Sequence, residues 1–376
     1  MTNDRVTGDG VTSDGVTNDR VTSDGMTNDG VMSDDMTHVE ERHALLNHKK
    51  TEIMSPPETI PQIATFLLRI ADEVSSAGLY NGKAGLSLSL FIASRYLQDE
   101  RLEDKAYDLL QEALITKTHD ISFENGLAGI GYALLYLIEH KYIAADFDDV
   151  FGEQYEAILK SNLDKNPAKL LTSLQVIHFL TKVRNFKKND SRINALIKAI
   201  FEGIELFLTI QFHDFTDIHY INRKEDVLKI YDAYLKLVDY AGYAHFSRVV
   251  LADYVALHRK GRIVGSLETG YYLNKIVCKY TIAGYDDVIQ KHIGNNEDEK
   301  SNSRKCQRAS PVIASLQSNP EILNIKILRN YVNDNDKTWT MQDMQTLVNE
   351  KPEFLGYGAG LARFLIYCID NTVGLL

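Results

Sequence analysis

Cysteine is scarce and scattered: Cys278, Cys306 and Cys368 are the only three in 376 residues, and no two form a Cys-x-x-Cys pair. That excludes a disulfide framework and a local zinc clip, and makes a reducing compartment the default. Long apolar runs are missing too, since no stretch approaches the ~20 residues that a membrane span needs. The N-terminus is polar and repetitive rather than basic and then apolar, so no secretory signal is visible. These absences predict a cytoplasmic protein with no membrane partner. A basic excess is also lacking. The net charge is −11, of which residues 1–54, with eleven acids and five bases, supply −6 and the remainder −5. A mildly acidic body argues against nucleic acid as a partner. Sustained β-branched alternation is absent as well, which leaves little room for strands.

What is present falls into two parts. Residues 1–35 repeat every five, from Met1-Thr-Asn-Asp-Arg5 through Val6-Thr-Gly-Asp-Gly10 to Val31-Met-Ser-Asp-Asp35. That period fits neither helix nor strand, and the composition buries too little apolar surface to offset ordering entropy. The expectation is a disordered tail and linker over 1–54. The regular Asp spacing invites a calcium reading, but calcium loops converge several oxygens on one sharply turned segment. A translated tandem repeat upstream of a start at Met36 or Met54 accounts for it equally well.

The rest of the chain, 55–376, reads as one all-α domain with the apolar content of a globular core: hydrophobic residues make up 44% of the whole sequence. Apolar residues recur at three and four positions in Ile63–Val74, Leu102–Ile115, Leu170–Val183, Ile193–Ile210, Val227–Val238 and Ile322–Tyr331. Asp190, Asn81 and Asn125 stand where helix N-caps are expected. The polar stretch Gly294–Arg308 reads as a surface loop.

The most informative feature is an internal repeat. Asn81-Gly-Lys-Ala-Gly-Leu86 is matched by Asn125-Gly-Leu-Ala-Gly-Ile130, and Ala359-Gly-Leu361 repeats its core. Ser266-Leu-Glu-Thr-Gly270 is a fainter copy of Ser122-Phe-Glu-Asn-Gly126. Gly82 and Gly126 are 44 residues apart, and the longer separations divide into units of about 44–48, the length of a two-helix repeat. About seven units fit. Glycine is costly inside a helix, so its clustering in a first turn implies close backbone approach. Helices crowded round a closed ring require that, although an open solenoid could use the same glycines for packing alone.

Gly78-Leu-Tyr-Asn-Gly-Lys-Ala-Gly85, Phe123-Glu-Asn-Gly-Leu-Ala-Gly-Ile-Gly131 and Gly356-Tyr-Gly-Ala-Gly-Leu361 resemble the glycine motifs that open the inner helices of lanthionine synthetase C-like proteins. The resemblance spans residues 60–372 in layout. It implies an α/α toroid of seven helical hairpins, with Gly82, Gly85, Gly126, Gly129, Gly131, Gly270, Gly358 and Gly360 lining the ring. It also implies action on ribosomal peptides, in which a cysteine thiol adds to a dehydrated Ser or Thr. In that family zinc activates the thiol, held by a Cys in a Trp-Cys-x-Gly motif and by a Cys-His pair.

Here the sequence departs from the pattern. No Cys-His dipeptide exists, and Trp339 precedes Thr340. If Gly270 occupies the place of the first metal motif, Glu268 stands where its cysteine would be, and one unit further on Ile313–Gln317 holds neither Cys nor His. Ser122 replaces the Asp that family members often place four residues before the second motif's glycine, with Asp120 nearby. The expectation is therefore no metal and no cofactor, with the family's zinc ligands not found. Weak catalytic candidates are Asp120, Glu124, His219 and Glu268. His213-Asp-Phe-Thr-Asp-Ile-His219 reads as a polar turn, because histidines six apart do not share a helix face. Glu124, Glu268 and Glu353 precede glycines in three units, so a ring could gather them for carboxylate chemistry such as glycoside hydrolysis. Two readings follow. One is a module that binds a peptide or a peptide-maturation enzyme; the other is an enzyme with an altered, zinc-free or carboxylate-based site.

Overall fold

The computed structural model describes residues 59–161, 163, 169–188, 190–215, 224–292, 340–350, 352–358 and 360–370. All of them lie in the compact unit Glu52–Leu376. The pentapeptide repeat, the helix expected over Ile322–Tyr331 and the loop expected over Gly294–Arg308 lie outside the described residues.

Twelve α-helices described from end to end, a further helical segment and no strand occur among the described residues. They are α1 (Thr59–Ile70), α2 (Lys83–Leu97), α3 (Glu100–Ile115), α4 (Leu127–Glu139), α5 (Phe147–Leu159) and α6 (Leu170–Phe186). Then come α7 (Ser191–Asp214), α8 (Lys224–Ala241), α9 (Arg248–Arg259), α10 (Leu267–Lys279), α11 (Met341–Glu350) and α12 (Leu361–Ile369). Residues 286–292 are also helical.

Two kinds of helix alternate, and burial tells them apart. In α2 every residue from Ala84 to Ser94 is buried, and in α4 every residue from Leu127 to Leu137. A helix apolar on all sides has neighbours on all sides. Helix α3 buries only Leu102, Ala106, Leu109, Leu110 and Ala113, and α5 only Phe147, Phe151, Tyr155 and Ile158. Such single stripes belong to helices with one wet face. The former make an inner layer in which α12, α2, α4, α6, α8 and α10 pack successively side by side. The latter lie outside, with α3 against α2, α5 against α4, α7 against α6 and α9 against α7.

Closure comes from the ends of the domain. Helix α12 packs on α2, and α1 packs on both. The domain is an α/α toroid. The expected count of seven hairpins rests partly on 293–339, outside the described residues.

Local sequence explains most helix starts. Asp99, Asp146, Asp190 and Ser247 each accept a hydrogen bond from a first-turn N–H at the N-caps of α3, α5, α7 and α9. Asp190 thus caps as expected. Asn81 and Asn125 do not; the caps of α2 and α4 are Gly82 and Gly126, which make no side-chain cap bond. Helix α7 is also longer than its periodicity suggested, since it takes in His213 and Asp214.

Candidate functional site

The mouth of the ring is built by the glycine motifs, and three of them use one device. The loop before each inner helix folds over its first turn, so that N–H groups there donate to carbonyls seven residues earlier. These bonds are Lys83 N to Ser76 O (2.8 Å), Leu127 N to Asp120 O (2.8 Å) and Ala362 N to Leu355 O (3.0 Å). Backbone carbonyls therefore do what a capping side chain would do, which is why Asn81 and Asn125 are not needed as caps. The fold-back demands contact without side chains. A Cβ on Gly85 would lie 1.9 Å from the Leu79 carbonyl oxygen, and one on Gly129 would lie 2.1 Å from that of Phe123.

The same loops join one another around the mouth. Gly358 N donates to Tyr80 O (3.1 Å), and Tyr80 N donates to Glu124 O (2.7 Å), linking the last motif to the first and the first to the second. Tyr80 also presents its ring to Gly358.

This geometry corrects two sequence alignments. Gly360 is an N-cap, equivalent to Gly82 and Gly126 rather than to Gly85. Ser266 is itself an N-cap, whereas Ser122 lies in the loop four residues before one, so Glu268 sits inside α10 and Glu124 outside α4. The idea that all eight motif glycines line the ring also needs correction. Gly131 faces the rings of Phe151 and Phe179, and Gly270 faces His292. Phe151 belongs to the outer layer, so Gly131 lies between layers, and Gly270 is covered in the same way by the helical segment 286–292.

Among the described acidic candidates, Asp120 and Glu124 line one groove and Glu268 is not part of it. Asp120 accepts from both the N–H (2.8 Å) and the hydroxyl (3.0 Å) of Ser122, and so shapes its own loop. Both line a groove of about 730 Å³ with His119, Lys169 and Ser173. Glu124 accepts from Gln175 on α6 (2.8 Å). Glu268 lies in the first turn of α10 beside a group that sequence reasoning missed, Asp232 on α8. Asp232 accepts hydrogen bonds from the hydroxyls of Thr269 and Ser266, the two partners of the α10 capping box. Burial raises the Asp232 pKa to about 6; the Thr269 bond opposes the rise and the Glu268 charge adds to it. His219 and the Glu353 side chain lie outside the described residues, while His213 is an exposed residue in the last turn of α7.

The family's zinc donors have no counterpart among the described residues, where no three His, Cys, Asp or Glu side chains gather closely enough to hold a metal ion. Cys278 is exposed on α10 against Asn274, and Cys368 is near the far end of α12. The described donor set does not fit zinc, and Cys306 lies outside it.

The ring's interior carries a different chemistry. Three inner helices each place a pair of residues four apart on one face: Tyr132 and Tyr136 on α4, His178 and Lys182 on α6, Lys236 and Tyr240 on α8. Tyr132, Tyr136, Lys182 and Tyr240 line a cavity of about 590 Å³ with Arg95, Tyr142 and Asp370. These residues come from the C-terminal ends of α2, α4, α6, α8 and α12, so the cavity opens at the end opposite the glycine motifs. Lys182 pairs with Glu139 and lies over the rings of Tyr136 (5.5 Å) and Tyr132 (6.0 Å). Arg95 stacks on Tyr142 at 3.5 Å and donates to the carbonyls of His140 (2.9 Å) and Lys141 (2.7 Å), closing the end of α4. Burial pushes the pKa of Tyr132, Tyr136 and Tyr240 far up, so their hydroxyls stay protonated and able to donate.

Below the cavity lies His178, 5% exposed, its ring 4.7 Å from Tyr240 and 5.1 Å from Phe123. Its Nδ1 is buried and meets no hydrogen-bond partner. Burial, then the charges of Lys236 and Arg363, hold its pKa well below the usual imidazole range. Arg363, itself 7% exposed, donates to Gly358 O and faces the Tyr357 ring at 5.8 Å.

A closed double layer of helical hairpins, with glycine loops at one mouth and a polar interior, defines the class as an α/α toroid with a lined lumen. Comparison with family models gives a match to "Lanthionine synthetase C-like protein" over residues 54–245, about half of the chain. The chain belongs to that family. The match includes the first two glycine motifs and ends before Glu268 and the Gly356–Leu361 motif. No curated protein matches the chain, and no solved structure does. No helix among the described residues is long and apolar enough to cross a membrane.

Proposed function

We propose that this chain is a peptide-binding member of its family, holding a peptide segment against the tyrosine wall of the ring rather than closing thioether rings on a metal. Membership of the family supports a role connected with peptide modification. The observation that carries the finer reading is the convergence of five inner helices on one cavity of about 590 Å³ lined by tyrosines and charged groups. A cavity of that size suits a short segment rather than a folded domain. Tyrosine faces supply contact area at low entropic cost, and their hydroxyls supply donors and acceptors for backbone amides. A maturation enzyme, if it is the partner, would then dock through the peptide or on the outer layer. The absence of any Cys-His dipeptide from the sequence supports the loss of ring closure.

The test uses fluorescein-labelled peptides carrying one cysteine and one dehydroalanine, in open and thioether-closed forms, with and without zinc. Anisotropy should show saturable binding that weakens about tenfold or more in the Tyr136→Ala/Tyr240→Ala double variant. Alkylation should find the free thiol of the open peptide undiminished. Catalytic loss of that thiol would refute the reading.

One observation favours the enzyme reading instead, namely the half-buried Asp232 beside Glu268, whose pKa is raised to about 6. If it holds, Asp232→Asn should abolish a turnover that the tyrosine variants merely weaken.

A further inference from the structure

Four features of the lumen are unexplained by peptide binding in general. The protein is acidic, yet Lys182, Lys236 and Arg363 all act on the space around the α6 pair His178–Lys182. The Tyr132 and Tyr240 hydroxyls are donors there. The His178 Nδ1 is buried without a partner, which is unfavourable in a packed interior unless something else satisfies it. Lys182, only 17% exposed, has as its ion-pair partner Glu139, a side chain exposed enough (27%) to be displaced toward water.

We propose that the lumen reads a carboxylate: a peptide enters through the tyrosine cavity and seats a carboxylate group on the Lys182 ammonium, the Tyr240 hydroxyl and the imidazole of His178. This rests on the peptide-binding reading and specifies its ligand. The shared chemistry is a carboxylate, whether from the peptide's C-terminus or from an acidic side chain. His178 and Lys182 are one helical turn apart on α6, so both reach the same space. The groups around them fix the sign. Helix α4 contributes Tyr132, Tyr136 and Glu139; α8 contributes Lys236 and Tyr240; the second motif contributes Phe123 and Glu124; and the last motif and α12 contribute Tyr357 and Arg363. Glu139 is paired with Lys182 and Glu124 with Gln175, so these two carboxylates already have partners, and the cavity wall also carries Arg95 and Asp370, one charge of each sign. An incoming carboxylate would exchange with Glu139 at Lys182 and give the buried imidazole an acceptor.

The experiment uses the full chain and three fluorescein-labelled pentapeptides of otherwise neutral sequence: the free acid, its C-terminal amide, and the amide with one internal Asp. The free acid, the Asp-containing amide or both should bind about tenfold or more tightly than the plain amide, as expected for one charge-assisted hydrogen bond. Which one does so identifies the source of the carboxylate. Lys182→Met and His178→Gln should each reduce that preference about fivefold or more, read as the ratio of the affinities for the preferred peptide and the plain amide measured in the same variant. A second readout needs no variant in the binding step: saturation with the preferred peptide should shift one buried histidine ring signal in an NMR spectrum, and the plain amide should not. Circular dichroism checks that His178→Gln, used to assign the signal, is folded; if it is not, Lys182→Met serves by losing the shift. Equal binding of all three peptides, or a preferred peptide that moves no histidine signal, overturns the carboxylate site and leaves peptide binding standing. Binding of none overturns both.

Discussion

Replacing Gly129 by alanine puts the fold-back loops under direct test. The added Cβ would lie 2.1 Å from the Phe123 carbonyl oxygen and 2.8 Å from Leu79 Cβ, where ordinary contact begins at 3.4 Å. The carbonyl is backbone, so it cannot swing aside alone. It belongs to a loop tied down by Leu127 N to Asp120 O, Gly126 N to Ser122 O and Tyr80 N to Glu124 O. Retreat by more than an ångström breaks at least one of these bonds. Overpacking costs about 1–3 kcal/mol and a lost backbone bond about 1 kcal/mol. Alanine's better helix propensity returns about 1 kcal/mol, which leaves a net destabilisation of about 1–3 kcal/mol. Gly152, in the middle of α5, is the internal control, because nothing lies within 4 Å of a Cβ built there. Gly152→Ala should stabilise by about 0.5–1 kcal/mol through propensity alone. Urea titration of both variants, with the slopes compared, reads the two signs. If Gly129→Ala matches or exceeds the wild-type midpoint, the loop does not clasp the helix as described.

Three further outcomes follow from the electrostatics and caps. Asp232 holds its proton in the folded state up to about pH 6, whereas an unfolded carboxyl loses it near 4, so its share of stability drains away as pH rises through that window. Asp232→Asn should therefore gain on the wild type by up to about 3 kcal/mol between pH 4 and 7.5, and urea midpoints that differ equally at both values would contradict this. His292 behaves oppositely: burial, followed by the neighbouring His258, lowers its pKa to about 4, so stability is lost as pH falls from about 6.5 toward 4. In His292→Gln, melting temperatures at pH 4.5 and 7 should lie closer together than in the wild type. Asp190→Ala removes the α7 cap along with bonds to Tyr155 and Arg192, and should cost about 1–2 kcal/mol at pH 7. Arg192 holds the Asp190 carboxyl far below the usual range, so that cost should shrink once the pH is acid enough to protonate it.

What could be read from the chain beforehand was what the backbone dictates. Asn81-Gly-Lys-Ala-Gly85 and Asn125-Gly-Leu-Ala-Gly129 look alike because each must pass a carbonyl where a Cβ would be, and no other residue allows it. The split into inner and outer helices was present as well, in runs such as Leu127–Leu137 against the stripe of Leu102, Ala106 and Leu109. Register was not. Ala359-Gly-Leu361 matches Ala84-Gly-Leu86 letter for letter, yet Gly360 is a cap and the residue three further on is the buried Arg363, not a glycine. Local identity cannot separate a glycine excluded by its own loop from one in the first helical turn, since both meet a carbonyl six residues back.

The lumen was the least legible part, and for a different reason. Tyr132, Tyr136, His178, Lys182, Lys236 and Tyr240 share no motif; they are a tyrosine, a histidine or a lysine at four-residue spacing on three helices that only the ring brings together. The available signal was their presence inside helices that are apolar on nearly every side, where a polar residue needs a reason. The two ends of the toroid are thus specified by different physics. At the glycine mouth, backbone meets backbone, and the contacts leave almost no choice of residue. At the tyrosine end, side chains meet across open space, and the wall tolerates any set that fills its positions and satisfies its polar atoms. A helix can even drop the glycine device: α6 starts at Lys169 with no side-chain cap, yet it supplies both His178 and Lys182. The frame of this ring can therefore stay recognisable while its interior chemistry changes, and function has to be argued from the lumen side chains rather than from the motifs that reveal the fold.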